Sequence, residues 1–168
     1  MNPNLYIIKG KPNSGKTTTC WKLLNLLKPI NRDICYNYWE LISFRHDITY
    51  NQEKKYYELP KLERQQRNVV DFIAIVHLDP NNPNSKVAII SVGEDPFYIK
   101  RAIHKALGEN AHYIVCCEHP QGATHRILHS EFDIKHEYSL EQMKDDKEED
   151  NVAQQIYEQI INDMKLKK

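Results

Sequence analysis

One stretch governs what this chain can become: Gly10-Lys11-Pro12-Asn13-Ser14-Gly15-Lys16-Thr17 separates an apolar, β-rich run, Leu5 to Lys9, from a segment, Thr17 to Lys28, with Cys20, Trp21, Leu23, Leu24 and Leu27 at helical spacing. The order is strand, glycine-bounded loop, helix. Glycines let successive backbone N–H groups turn inward and line a concave, anion-attracting surface, and a helix beginning near Gly15 adds its positive end to the same place. A strand that leads straight into a helix returns to its sheet by a crossover, which predicts parallel pairing.

The remaining segments fit that expectation with one exception. Asp71 to Leu78 and Lys86 to Val92 read as strands, but the seven residues Asp79 to Ser85 between them are too few for a crossover, so they predict an antiparallel hairpin. A helix follows, with Asp95 as N-cap, Pro96 at the first helical position, Ile99, Ala102, Ile103, Ala106 and Leu107 on one face, and Gly108 at the stop. Ala111 to Glu118 predicts a buried strand, Ala123 to Glu131 a short helix, Phe132 to Tyr138 a strand, and Asn151 to Met164 a helix with Val152, Ile156, Ile160 and Met164 inward. The acidic stretch EQMKDDKEED before that last helix reads as solvated surface suited to a helix N-terminus. The expected architecture is a single α/β domain, residues 1–168, in three layers: an open, mostly parallel sheet of about five strands with one antiparallel hairpin and helices on both faces. Residues 31 to 68 show no sustained period, and Tyr36, Tyr38, Trp39, Tyr50, Tyr56 and Tyr57 there suit a lid or base-stacking segment as well as plain packing against the sheet edge.

Composition narrows the classes of function. With 23 Lys plus Arg against 23 Asp plus Glu, the formal charge is zero, which removes the basic face a dedicated nucleic-acid binder needs. No apolar run approaches the roughly 18 residues of a membrane span, and the start lacks the features of a secretory signal, so a cytoplasmic location and no membrane partner are expected. Cys20, Cys35, Cys116 and Cys117 suggest no disulfide framework, because the adjacent pair lies in a strand and points to opposite faces. Cys116, Cys117, His119, His125 and His129 fit no common structural zinc spacing, and the sequence alone favours no metal there.

The loop matches G-x-x-x-x-G-K-[ST] at every specified position, in the strand-to-helix context that the pattern requires. GKPNSGKT resembles the Walker A motif of the P-loop NTPase superfamily, and the order of elements along the whole chain is similar to the small GTPases. The resemblance implies that Gly10, Lys11, Pro12, Asn13, Ser14, Gly15, Lys16, Thr17 and Thr18 cradle the phosphates of ATP, that Lys16 stabilises the transferring phosphoryl charge, and that Thr17 holds Mg²⁺.

The rest of such a site departs from the family pattern. After Val87-Ala88-Ile89-Ile90 comes Ser91 in place of an acid, and the D-x-x-G of small GTPases is absent. Glu94 and Asp95 arrive later at that strand's carboxyl end and are candidates for metal binding or water orientation, with Asp95 equally an N-cap. If the hairpin is antiparallel, Asp79 lies at the far end of the sheet, and Asp71 is the alternative metal candidate or a surface residue. No N-K-x-D follows the later strands, so adenine is expected by default. Arg126 and Thr124 are candidates for a phosphate or base contact, and Arg45, Arg64, Arg67 and Arg126 for a lid arginine. Three functions stay open: Mg²⁺-dependent ATP hydrolysis or γ-phosphoryl transfer, a kinase acting on a nucleotide or other small molecule, and a slow nucleotide-dependent switch acting through a protein partner.

Overall fold

In the computed structural model of the chain, the first strand, β1 (Asn4–Lys9), is buried along almost its whole length because it has a parallel strand on each side and helices over each face. The structure describes residues 3–11, 14–27, 36–37, 49–51, 56–58, 73–79, 81–91, 96–119, 122–141 and 145–166. After β1 come α1 (Lys16–Leu27) and three short strands, β2 (Tyr36–Asn37), β3 (Thr49–Asn51) and β4 (Tyr56–Glu58). The hairpin strands β5 (Ile73–His77) and β6 (Lys86–Ile90) are followed by α2 (Pro96–Gly108), β7 (Tyr113–Glu118), α3 (Ala123–Glu131), β8 (Ile134–Ser139) and α4 (Asp146–Leu166).

The main sheet has six strands in the order β2-β5-β6-β7-β1-β8, and β3 and β4 pair separately as a two-stranded antiparallel sheet. β6, β7, β1 and β8 are mutually parallel neighbours, whereas β5 runs antiparallel to β6 with Ile73 opposite Ile90 and His77 opposite Lys86. The architecture is therefore the expected mostly parallel α/β sheet with an antiparallel hairpin. Its central strands are continuous apolar runs, because both sheet faces are covered. Tyr6, Ile8, Val87, Ile89, Val115 and Cys117 meet α1 and α4 on one face, and Leu5, Ile7, Ala88, Ile90, Ile114 and Cys116 meet α2 and α3 on the other.

One helix end falls where the sequence puts it and another does not, each for a local reason. Gly108 is the last residue of α2, as expected, and the left-handed residue that follows is Asn110 at φ 65°. The Ala111 N–H donates to Ala106 O at 3.0 Å and the Asn110 N–H to Leu107 O at 3.0 Å, a Schellman closure in which Asn replaces the usual Gly. At the other helix, α4 begins at Asp146, five residues ahead of the expected Asn151. Asp145 caps it, its Oδ1 accepting from Lys147 N at 2.9 Å and Glu148 N at 3.3 Å, and Asp146, Glu148 and Glu149 complement the helix dipole. The acidic stretch thus supplies, from Asp146 on, the start of the helix, with Asp146, Lys147 and Asp150 exposed and Glu149 buried.

The hairpin places Asp79 at the end of the sheet opposite the Gly10 loop, as its short connection predicts. There Asp79 Oδ1 accepts from Asn81 N at 3.0 Å and its carbonyl accepts from Ser85 Oγ at 2.9 Å, a turn-building role. Truncating the fully buried Ile114 to Ala should lower the unfolding free energy by about 2–4 kcal/mol. Asp79→Ala should cost no more than about 1 kcal/mol, the worth of one exposed turn hydrogen bond. Urea titrations giving equal losses for the two would contradict this assignment of core and turn.

Candidate functional site

The parallel ladder continues past the end of β1 and so fixes where the loop departs. Gly10 N–H donates to Glu118 O at 3.2 Å, and Leu140 N–H donates to Lys9 O at 2.8 Å. From that anchor the chain turns, with Ser14 N–H donating to Lys11 O at 3.1 Å, and α1 starts with Thr19 N–H donating to Gly15 O at 2.9 Å. Both glycines are needed here. Gly15 sits at φ 99°, a backbone state that a Cβ disfavours, and a Cβ built on it would overlap the Glu149 carboxylate. One built on Gly10 would overlap the Ser14 hydroxyl.

Lys16, the first residue of α1, is only 7% exposed, and its ammonium donates to Gly10 O at 2.6 Å and Lys11 O at 3.0 Å. The side chain thus arches over the loop from which it springs. Ser14 Oγ is buried with no hydrogen-bond partner among the described residues. No acid occupies the first turn of α1, so the helix's own sequence leaves its positive end uncompensated. Buried ammonium, unpartnered hydroxyl and helix terminus converge at the carboxyl end of the sheet, where open α/β folds bind ligands.

Of the other residues expected at the site, Lys11 is exposed and Thr17 and Thr18 are half-buried beside Lys16. Pro12, Asn13, Asp71, Glu94, Asp95, Arg45, Arg64 and Arg67 lie outside the described residues. So does most of the Tyr-rich segment, apart from β2, β3 and β4. Arg126 is exposed on α3, and Thr124 is buried in the first turn of that helix. Cys116 and Cys117 are both buried and face opposite sides of the sheet, with Cys117 Sγ 3.4 Å from Cys20 Sγ. Burial pushes the Cys116 thiol well above its ordinary range. Cys35 lies outside the described residues.

Two acids at this edge of the sheet escaped the sequence reading. Glu149 comes from α4 and lies against Gly15, with Lys22 Nζ 3.4 Å from its Oε1. Lys22 also reaches Asp146 at 3.4 Å and Asp150 at 2.9 Å. Burial pushes the Glu149 carboxyl above its ordinary value of 4.5, and Lys22 pulls in the other direction without cancelling it. Glu149 falls on the same helical face as Val152, Ala153, Ile156 and Ile160, a signal that becomes visible once the helix is extended back to Asp146.

Glu118 is the second. The run Tyr113-Ile114-Val115-Cys116-Cys117 leads directly into it, which is the apolar-strand-to-acid pattern sought after β6 and β5, on the strand that pairs with β1. Its side chain is fully buried and faces α3, where His125 Nδ1 lies 3.0 Å from its Oε1. That is the sheet face opposite α1. No model of a known protein family matches the chain, and neither does any curated protein or any solved structure.

The raised Glu149 carboxyl makes a signed prediction. Folding favours its neutral form, so its contribution to stability is complete below 4.5 and is lost as pH rises through the higher folded value. Wild type should therefore lose stability relative to Glu149→Gln as pH climbs from 4.5 through that interval. Urea melts of both proteins at stepped pH test this, and parallel pH curves would refute it. Gly15→Ala should destabilise by about 1–3 kcal/mol through the left-handed backbone alone, with the displaced Glu149 adding to the loss.

Proposed function

We propose that the chain binds a nucleoside triphosphate, ATP by preference, at the Gly10–Thr18 loop, and hydrolyses it or transfers its γ-phosphoryl group. The observation that carries this reading is Lys16: a nearly buried ammonium bonded at 2.6 and 3.0 Å to two carbonyls of its own loop, at the N-terminus of a helix that follows a central parallel strand. Those carbonyls hold the charge until phosphate oxygens replace them, and the side chain then needs only a rotamer change to reach the β and γ phosphates.

The residues around it support the same chemistry. Backbone N–H groups from Ser14 to Thr18 lie at the start of α1 and favour an anion there. The unpartnered Ser14 hydroxyl offers one more donor. Thr17 would hold Mg²⁺ through its hydroxyl, the ion supplying neutralisation of charge on the β and γ phosphates. Glu149, set against Gly15, opposes an incoming polyanion when ionised, so phosphate entry is favoured where the carboxyl is neutral or has turned toward Lys22. The missing N-K-x-D after β7 and β8 supports adenine over guanine.

Lys16→Ala should weaken Mg²⁺-ATP binding by tenfold or more, about 1.4 kcal/mol, while the far-ultraviolet spectrum stays that of wild type. Calorimetry giving equal affinity for the two proteins sinks the reading. Competition titrations should show ATP bound at least as well as GTP. Single-turnover incubation with and without phosphate acceptors separates a hydrolase from a small-molecule kinase, and very slow turnover in both arms indicates a nucleotide-dependent switch with a protein partner.

A further inference from the structure

On the α3 side of the sheet edge, three residues that no part of the nucleotide reading uses converge on one point. His125 and His129 are four apart on α3, which puts both rings on one face of the helix, with centroids 4.1 Å apart. Glu118 projects toward them from the end of β7. One donor atom from each of the three lies within 4.8 Å of the others. We propose that Glu118, His125 and His129 form a binding site for a divalent transition cation of the zinc class.

The state of the carboxylate is the first reason. Glu118 is fully buried, and a buried carboxylate is costly unless its lone pairs are used. Its Oε1 lies 3.0 Å from His125 Nδ1 and 3.4 Å from His129 Nε2. Its Oε2 has no hydrogen-bond partner among the described residues, although His129 Nε2 is 3.4 Å away. Among the described residues Lys9 Nζ stands 4.0 Å from Oε1 and pairs more closely with Glu137 at 3.0 Å. One buried oxygen therefore remains unused and points into the cluster.

Distance is the second reason. Ligands held tetrahedrally at zinc–nitrogen and zinc–oxygen bond lengths stand roughly 3.3 Å apart. The separations from Glu118 to the two imidazoles, 3.0 and 3.4 Å, already bracket that value. A cation entering between them replaces the proton shared by His125 Nδ1 and the carboxylate, and that proton passes to Nε2 or to solvent. The donor set decides the metal class. Two imidazoles and one carboxylate suit zinc and its transition neighbours, whereas Mg²⁺ and Ca²⁺ prefer oxygen alone. Three protein ligands leave a further position for water. Glu137 Oε1 lies 3.3 Å from the same His129 Nε2 that faces Glu118, so a second carboxylate stands beside the cluster. The site belongs to the face opposite α1, so it stands independently of whether the loop binds nucleotide.

The test uses the full chain, stripped with a chelator and titrated with Zn²⁺ by calorimetry, with Co²⁺ as an optical probe and Mg²⁺ as the oxygen-preferring control. One equivalent of Zn²⁺ should bind, and Co²⁺ should develop visible ligand-field bands that Zn²⁺ displaces and Mg²⁺ does not. His125→Ala and His129→Ala should each weaken Zn²⁺ binding by tenfold or more with unchanged melting of the metal-free protein. Because Glu118→Gln alters a buried group, the two histidine variants, at partly exposed positions, carry the decision. No saturable Zn²⁺ uptake, or uptake that survives intact in the double histidine variant, overturns the proposal.

Discussion

The parallel ladder from β7 through β1 to β8 is the constraint on which the functional edge of the molecule depends. It sets Lys9 beside Glu118 and Ser139, and it extends one bond beyond each side of β1, through Gly10 to Glu118 and through Leu140 to Lys9. A loop that starts from two backbone hydrogen bonds has little freedom in its first residue, so the turn can be tight and its amides can face one direction. The same ladder decides which face each side chain takes. Because side chains alternate along a strand, Lys9 and Glu118 turn toward α3 while Ile8 and Cys117 turn toward α1 and α4. The Gly10 loop and the histidine cluster are neighbours by register and separate by pleat.

Charge is distributed across this edge in a way that the net balance hides. Buried acids sit on each face, Glu149 beside α1 and Glu118 beside α3, and each has a lysine within reach, Lys22 and Lys9. The pairings are unequal. Lys22 gathers three acids: burial is the largest single influence and works against its charge, but Asp150, Glu149 and Asp146 together outweigh it and hold the ammonium above its ordinary range. Lys9 divides itself between Glu118 and the half-exposed Glu137 and favours the latter. A third lysine, Lys16, donates to the neutral carbonyls of Gly10 and Lys11.

Much of the architecture was legible in the residues because short-range rules and long-range packing agreed. The loop between two glycines, the connection from Asp79 to Ser85, and the face of Ile99, Ala102, Ile103 and Ala106 each have one comfortable solution. The shifted boundary arose where a local rule had two. An acidic run before a helix is compatible with solvent or with a helical first turn, and the Asp145 cap together with burial of Glu149 decides for the turn. Glu118 was missed for a different reason. Its preceding run fits the apolar-strand-to-acid pattern, but which strand neighbours β1 is a topological fact that sequence order does not carry.

The topology also has a consequence for how the chain is made. Both neighbours of β1 come from residues 113–139, so during synthesis the first strand emerges with two open hydrogen-bonding edges and remains so until more than a hundred further residues have followed. Only local pieces, such as the β5–β6 hairpin, find their partners early. An unpaired apolar strand with open edges is a template for pairing with another copy. The protein's hold on solubility is thus weakest before translation reaches β8, and chaperone dependence or synonymous slowing should register between Lys9 and Ser139 rather than in the finished fold.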